Sequence, residues 1–374
     1  MAALAVALVA GGWGYLQYRF DQFKKVHVAH EVDQVPGQPF NVLVLGSDSR
    51  VGESSPQFGS SSVVQGQRSD VDMIVHVVPA TRQVSILSIP RDTLVSMVGQ
   101  DASEFGRFNR INASYNSGAD QVVQTIEDNF GIPINHVVQV DFAGFEGAVS
   151  ALGGVWMNFA YPARDAWSGL DITTPGCQLL NGQQALAVAR SRHYQYYADG
   201  YWHSDPTGDL GRIQRQDAFL RALASAARAQ RNPLTLNAFL GSLPQGLVID
   251  DRFTVGSLLG LAQIFRSVDP ASIQTFTLPT ISDGYVSPWG DVLFVDQPAA
   301  QQMLVSVLGT LQSPSDPPPG TNLVPEPPPD VTTTTAPAPG AGSGSGTTGH
   351  PATTTAPPAP VPPPPFDPTA CAPQ

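Results

Sequence analysis

The sequence is short of cysteine, lysine and familiar catalytic motifs. Cys177 and Cys371 are the only two cysteines among 374 residues, which excludes a multi-disulfide scaffold and a CxxC redox or zinc motif. A bridge between them would draw the C-terminal segment onto the body in an oxidising compartment, and two unpaired thiols are the alternative. Lysine is confined to Lys24 and Lys25, so all other fixed positive charge is arginine, whose planar fork suits phosphate. A formal net charge of -12 weighs against a nucleic-acid partner. No Walker loop, GxSxG elbow or HExxH helix occurs. The seven histidines are scattered; His76 and His136 fall inside strand patterns and read as packed or edge residues.

Long apolar runs are also scarce, with one exception. Met1 to Tyr18 carries no charge and is just long enough to span a bilayer. Trp13, Tyr15 and Tyr18 gather at one end like an interfacial belt, with Arg19, Lys24 and Lys25 after them. A cleaved signal peptide is the rival reading, but the charged n-region and small-residue cleavage site it requires are missing. The segment is therefore expected to be a single-pass anchor (1–18) with the body outside the cytoplasm. Positive charge that follows rather than precedes the span leaves room for a start upstream of Met1. Residues 19–40 read as a polar stalk, 41–312 as the folded domain, and 313–374 as a Pro/Thr/Gly-rich tail. The tail holds too little apolar area to offset its ordering entropy, so disorder is expected there.

Within the domain, apolar β-branched runs predict strands at Asn41–Leu45, Met73–Val78, Val84–Ile89, His136–Val140 and Val155–Phe159. Helical spacing predicts helices at Ala119–Phe130, Phe142–Leu152, Gln183–Arg190 and Asp209–Gln230. Further strands are expected at Ile273–Leu278 and Val292–Val295, with two helices around them. The alternation indicates an α/β class: an α/β/α sandwich with a central mixed sheet covered by helices on both faces.

Charged residues collect where these strands end. Asp48 and Arg50 follow the first, Arg68, Asp70 and Asp72 precede the second, and Arg91 and Asp92 follow the third. Loops at strand ends are where open α/β sheets bind ligands, although surface salt bridging is the plain alternative. A second cluster comprises Arg190, Arg192, Asp209, Arg212, Arg215 and Gln216. Arg212 and Gln216 share a helix face. Arg190 and Arg192 converge only if their helix ends at that point, as the loop 193–208 suggests. Converging arginine forks suit a pyrophosphate, and aspartate carboxylates suit a divalent cation that neutralises the remainder. With neither His nor Cys in the set, that cation is Mg²⁺ rather than zinc.

The motifs Asn41-Val-Leu-Val-Leu-Gly-Ser-Asp-Ser-Arg50, Arg68-Ser-Asp70, Ser88-Ile-Pro-Arg-Asp92, Arg110-Ile-Asn112, Leu152-Gly-Gly-Val155, Leu180-Asn-Gly-Gln-Gln-Ala-Leu186, Arg190-Ser-Arg192 and Gly211-Arg-Ile-Gln-Arg-Gln216 occur in that order. Together they resemble the LytR–CpsA–Psr family of cell-wall glycopolymer ligases, over roughly residues 41–311. The resemblance implies an α/β/α fold, one N-terminal membrane anchor, and transfer of a glycopolymer from a polyprenyl-pyrophosphate carrier onto peptidoglycan through a phosphodiester. It assigns Asp48 and Asp70 to Mg²⁺, and Arg68, Arg91, Arg110, Arg190, Arg192, Arg212 and Gln216 to the pyrophosphate. Arg91, Asp92, Arg190 and Arg192 are the expected catalytic groups. Asp92 and a metal-bound aspartate are both candidates for the base. The 48–70 loop is longer than the family's, and Asp72 stands where the family has an apolar residue. A non-catalytic wall or lipid-carrier binding protein, and a lipid-pyrophosphate phosphatase, are the competing readings.

Overall fold

The computed structural model describes residues 2–47, 69–97, 107–286, 289–309, 311–320 and 371. Among these, seven strands form the central sheet: β1 (Lys24–Val26), β14 (Leu247–Asp250), β7 (His136–Val140), β2 (Phe40–Ser47), β3 (Ser69–Val78), β4 (Gln83–Ile89) and β15 (Gln274–Thr277), in that spatial order. The β1–β14, β7–β2 and β4–β15 pairs are parallel and the others antiparallel, so the sheet is mixed.

Alternation along the strands decides what covers each face. Leu43, Leu45, Ile74, Leu87, Ile89 and Val137 point to one side, where α2 (Ala119–Phe130) and α8 (Gln297–Leu308) bury Val122, Val123, Ile126 and Leu304 against them. Met73, Val84 and Ile86 point to the other, beneath α5 (Asp209–Ala229) and α7 (Val255–Ser267). On that second side α4 (Gly182–Arg190) packs on α5, α3 (Phe142–Ala151) on α4, and α6 (Pro233–Gly246) on α3. A Cβ at Gly246 would collide with the backbone of Gly144, so the close approach of α3 to the end of α6 depends on two glycines.

The strand expected at Val155–Phe159, β8, forms outside the central sheet and pairs with β11 (Gly176–Leu180). The sequence 193–208 is a hairpin of β12 (Gln195–Ala198) and β13 (Tyr201–Ser204). With β9 (Ala163–Asp165) and β10 (Leu170–Ile172) it makes a small antiparallel sheet. The segment read as a stalk contributes β1 to the sheet edge and buries Phe20, Phe23 and Val28. At the other end, residues 311–320 lie along the domain. Gln312 N–H donates to the Gly131 carbonyl and Asp316 N–H to that of Asp128, Arg107 pairs with Asp316, and Pro318 and Pro319 are buried. Cys177 on β11 is disulfide-bonded to Cys371, so the bridged alternative is the one observed. The N-terminal helix α1 spans Ala2–Phe20. No helix among the described residues is long and apolar enough to cross a membrane.

Candidate functional site

A cavity of about 550 Å³ opens between the α5 face of the sheet and helices α3 to α6. Its floor is Val44, Val71, Met73, Val138 and Val140, and its walls include Phe145, Leu186, Phe219, Leu223 and Leu243. The polar groups that reach it include Arg91, Arg190, Arg192, Arg212 and Gln216. Five of the seven residues assigned to pyrophosphate thus converge on one apolar space, from three separate elements.

Each arrives for a local reason. Pro90 ends β4, and Arg91 emerges beyond it with its Nε 3.3 Å from Asp92 Oδ2. Helix α4 starts with a capping box, in which the Asn181 side chain accepts from Gln184 N–H and Gln184 Oε1 accepts from Asn181 N–H. It ends at Arg190, because Ser191 is extended at φ -65, ψ 120. That break turns Arg190 and Arg192 to the same opening. The Arg190 guanidinium carbon lies 4.4 Å from the centre of the Phe142 ring, a cation–π arrangement.

The turn after α4 closes around Asp165. The buried carboxylate accepts from Ser191 Oγ at 2.7 Å and from the backbone N–H groups of Arg192 and His193, each at 3.0 Å. Its other oxygen accepts from Trp167 N–H at 2.9 Å. Burial pushes the Asp165 pKa up, but the hydrogen bonds from Ser191, His193, Trp167 and Ser168 outweigh it and hold the group below the usual carboxylate range.

Helix α5 supplies the rest. Arg212 is buried and pairs with Asp209 at 3.0 Å, and Arg192 Nε lies 3.7 Å from the same carboxylate. One acid therefore holds two guanidiniums together at the mouth. Gln216 Nε2 donates to the Ala189 carbonyl at 2.9 Å, satisfying an end group of α4. Arg215 points away: its Nη1 lies 2.8 Å from Asp205 and its Nη2 donates to the Ser191 carbonyl, a structural role.

Arg110 does not join the cavity lining. Its guanidinium donates to the carbonyls of Trp289 and Asp291 and lies 3.4 Å from Asp92. Asp92 thus sits between Arg91 and Arg110. Asp48 and Arg68 lie outside the described residues, and Asp70 is placed as part of β3. The register pairs Ser47 with Ser69 at the end of the β2–β3 ladder. Asp72 is buried and accepts from Ser69 Oγ at 2.6 Å. Among the described residues, no group of three or more His, Cys, Asp or Glu side chains is arranged to hold a metal.

Asp165 and Trp167 were not singled out by sequence reasoning. Asp165-Ala-Trp-Ser-Gly169 has the composition of an Asx turn, but such turns are common and this one lies in none of the quoted motifs.

The chain matches the model of the LytR_cpsA_psr family over residues 17–306. It is 30% identical over 337 residues to the polyisoprenyl-teichoic acid–peptidoglycan teichoic acid transferase TagV of Bacillus subtilis (strain 168), covering 86% of this chain and 78% of that protein. It is 31% identical over 277 residues to the probable cell wall biosynthesis protein LcpB of Corynebacterium glutamicum, covering 71% of this chain and 60% of that one. Among solved structures, the LytR-Csp2A-Psr enzyme from Actinomyces oris superposes with a TM-score of 0.62 at 24% identity, over 79% of this chain and 97% of that one. The B. subtilis TagV structure gives 0.57 at 25% identity, over 73% and 98%. The ordered motifs, the arginine-rimmed cavity and these matches agree: the chain belongs to the LytR–CpsA–Psr family.

Proposed function

We propose that this protein transfers a glycopolymer from a polyprenyl-pyrophosphate carrier onto peptidoglycan through a phosphodiester link. The observation that carries this reading is the cavity itself, apolar inside and rimmed by Arg91, Arg190, Arg192 and Arg212. A long apolar tail joined to a polyanionic head is the ligand that satisfies both halves: the tail buries hydrocarbon, and the head takes charge-assisted hydrogen bonds from the forks. In the reaction, an acceptor sugar hydroxyl attacks the phosphorus bearing the glycan. The bond from that phosphorus to the bridging oxygen breaks, and polyprenyl phosphate leaves. Positioning and charge neutralisation are the main contributions such a site makes. The hydroxyl proton passes to a carboxylate, for which Asp92 and the aspartates at the sheet end are the candidates.

Mg²⁺ belongs to this reading, with Asp48 and Asp70 as its ligands. Hard carboxylate oxygens suit it, and the Ser47–Ser69 pairing supports their placement at one end of the sheet. Bound there, the cation would neutralise phosphate charge. The reading also makes α1 a single-pass anchor with the domain outside the cytoplasm. Its supports are the exposed rings of Trp13, Tyr15 and Tyr18 and a disulfide suited to an oxidising compartment. Protease added to intact spheroplasts should digest the domain; full protection would place it inside.

The direct experiment incubates the protein with a synthetic lipid-pyrophosphate glycan, peptidoglycan and Mg²⁺, followed by mass spectrometry of the wall fragments. A muropeptide carrying the glycan through a phosphodiester is expected. Phosphate-ended glycan alone would identify a hydrolase, and bound but unconverted substrate a carrier-binding protein.

A further inference from the structure

Trp167 is 82% exposed, and a large apolar ring left in water is the informative kind of exposure. The residue is nevertheless anchored through its backbone. Its backbone N–H is held by Asp165, and the indole lies against the His193 imidazole with centroids 5.6 Å apart. Both rings line the cavity beside Arg192. One carboxylate, Asp165, takes the backbone N–H groups of Trp167, Arg192 and His193. The backbones that carry the two rings and the mouth arginine are therefore fastened to one acid.

We infer that Trp167 and His193 form a sugar-stacking subsite for the first pyranose of the donor glycan, where it leaves the pyrophosphate. The inference rests on the arginines being the pyrophosphate site. With the tail inside the cavity and the phosphates at the arginines, the next unit of the donor must lie on the outer rim, where Trp167 stands. A pyranose presents one face of C–H bonds to an aromatic ring and keeps its hydroxyls at the edge in water. An open indole fits that better than an enclosed slot. The flanking sheet continues in the same chemistry: Arg164 lies 4.0 Å over the Trp202 ring and donates to Gln195, and Tyr197 and Tyr201 are exposed. Insertion of Trp167 into a bilayer is the competing use, but it would press Arg192 and Asp165 towards hydrocarbon at high cost.

The test compares two probes on the full chain: a prenyl pyrophosphate, and the same molecule bearing one hexopyranose on its terminal phosphate. Trp167→Ala should weaken the glycosylated probe about three- to tenfold, the size of an aromatic stacking contribution, and leave the bare probe unchanged. Trp167→Phe should keep most of the affinity, whereas Trp167→Leu, apolar but without a ring, should behave like alanine. Arg192→Ala should weaken both probes. Equal weakening of both probes by Trp167→Ala, no weakening of either, or full affinity in Trp167→Leu would overturn the sugar subsite. Loss of vesicle binding by Trp167→Ala with unchanged probe affinities would assign the ring to the membrane instead. If Arg192→Ala left both probes unaffected while Trp167→Ala still discriminated between them, the pyrophosphate assignment would fail and the sugar contact would stand.

Discussion

Arg192 is held from two sides, its backbone N–H by Asp165 and its guanidinium near Asp209, and a side chain placed so deliberately should show it on removal. If Arg192 holds the pyrophosphate as proposed, Arg192→Ala forfeits charge-assisted hydrogen bonds of about 1.5–3 kcal/mol each, or roughly ten- to a few-hundredfold in transfer rate. Arg192→Lys should recover part of this, since lysine keeps the charge but not the fork. Arg228, on the same helix as Arg212, donates to the Val268 carbonyl and lies 3.8 Å from an exposed Asp269. Arg228→Ala should therefore leave transfer unchanged. Equal activity of the two alanine variants at matched thermal stability would remove Arg192 from the site. Asp165→Asn tests the fastener: an amide replaces one accepting oxygen, so transfer should fall while the chemical groups that meet substrate stay present. A rate equal to wild type would show that the turn holds itself. A different buried acid predicts a pH dependence of stability. Burial, then the charge of Asp250, raises the Glu31 pKa from 4.5 to about 8. The folded state thus holds a proton that the unfolded chain has released, and stability should fall as pH rises from about 4.5 to about 8. Glu31→Gln should flatten that decline and raise the melting temperature near pH 8; an unchanged slope would assign it to other groups, Asp217 foremost, whose pKa burial raises to about 7.

Elements with a clear period were legible before the structure. Helix α2 and strands β7 and β8 have the expected limits, because apolar spacing and terminal glycines fix them locally. The end of α4 was also legible, and with it the convergence of Arg190 and Arg192. What stayed hidden depends on partners distant in sequence. The three-residue strands β5 (Leu94–Ser96) and β6 (Phe108–Arg110) carry no period of their own and exist through each other. Helix α6 holds an internal proline, Pro244, which on local grounds argues against a helix. Arg110 shows the limit at the site: its motif was readable, but the Trp289 and Asp291 carbonyls that draw it aside lie about 180 positions along the chain. Helix α4 offers a test at this scale. Asn181→Ala removes the capping-box acceptor, so a loss of about 1 kcal/mol is expected, visible in chemical denaturation. Transfer at low temperature should stay near wild type, since the side chains at the far end of the helix are held by Asp165 and Phe142 rather than by the cap.

For the molecule as a whole, the disulfide ties Cys371 to the domain. It joins positions 194 apart, and its Cys177 end lies on β11, immediately before the Asn181 cap of α4. Closing so long a loop reduces the freedom of the unfolded chain, with measured effects for native bridges of about 2–5 kcal/mol. Reduction should accordingly lower the melting temperature by roughly 5–15 °C for a body of this size. The cavity should survive it at 25 °C, because Cys177 is not among its lining residues and β11 keeps its five-residue register with β8. Cys177→Ser should reproduce the effect of reduction, and reduction should then change nothing further in that variant. Ending the chain after Gly320 removes Cys371 but keeps the packed segment 311–320, so its melting temperature should equal that of the reduced full chain. A truncated chain markedly less stable than the reduced one would show that residues beyond 320 stabilise the domain by more than the bridge. A melting temperature indifferent to reduction would show that the two sulfurs are not joined in solution.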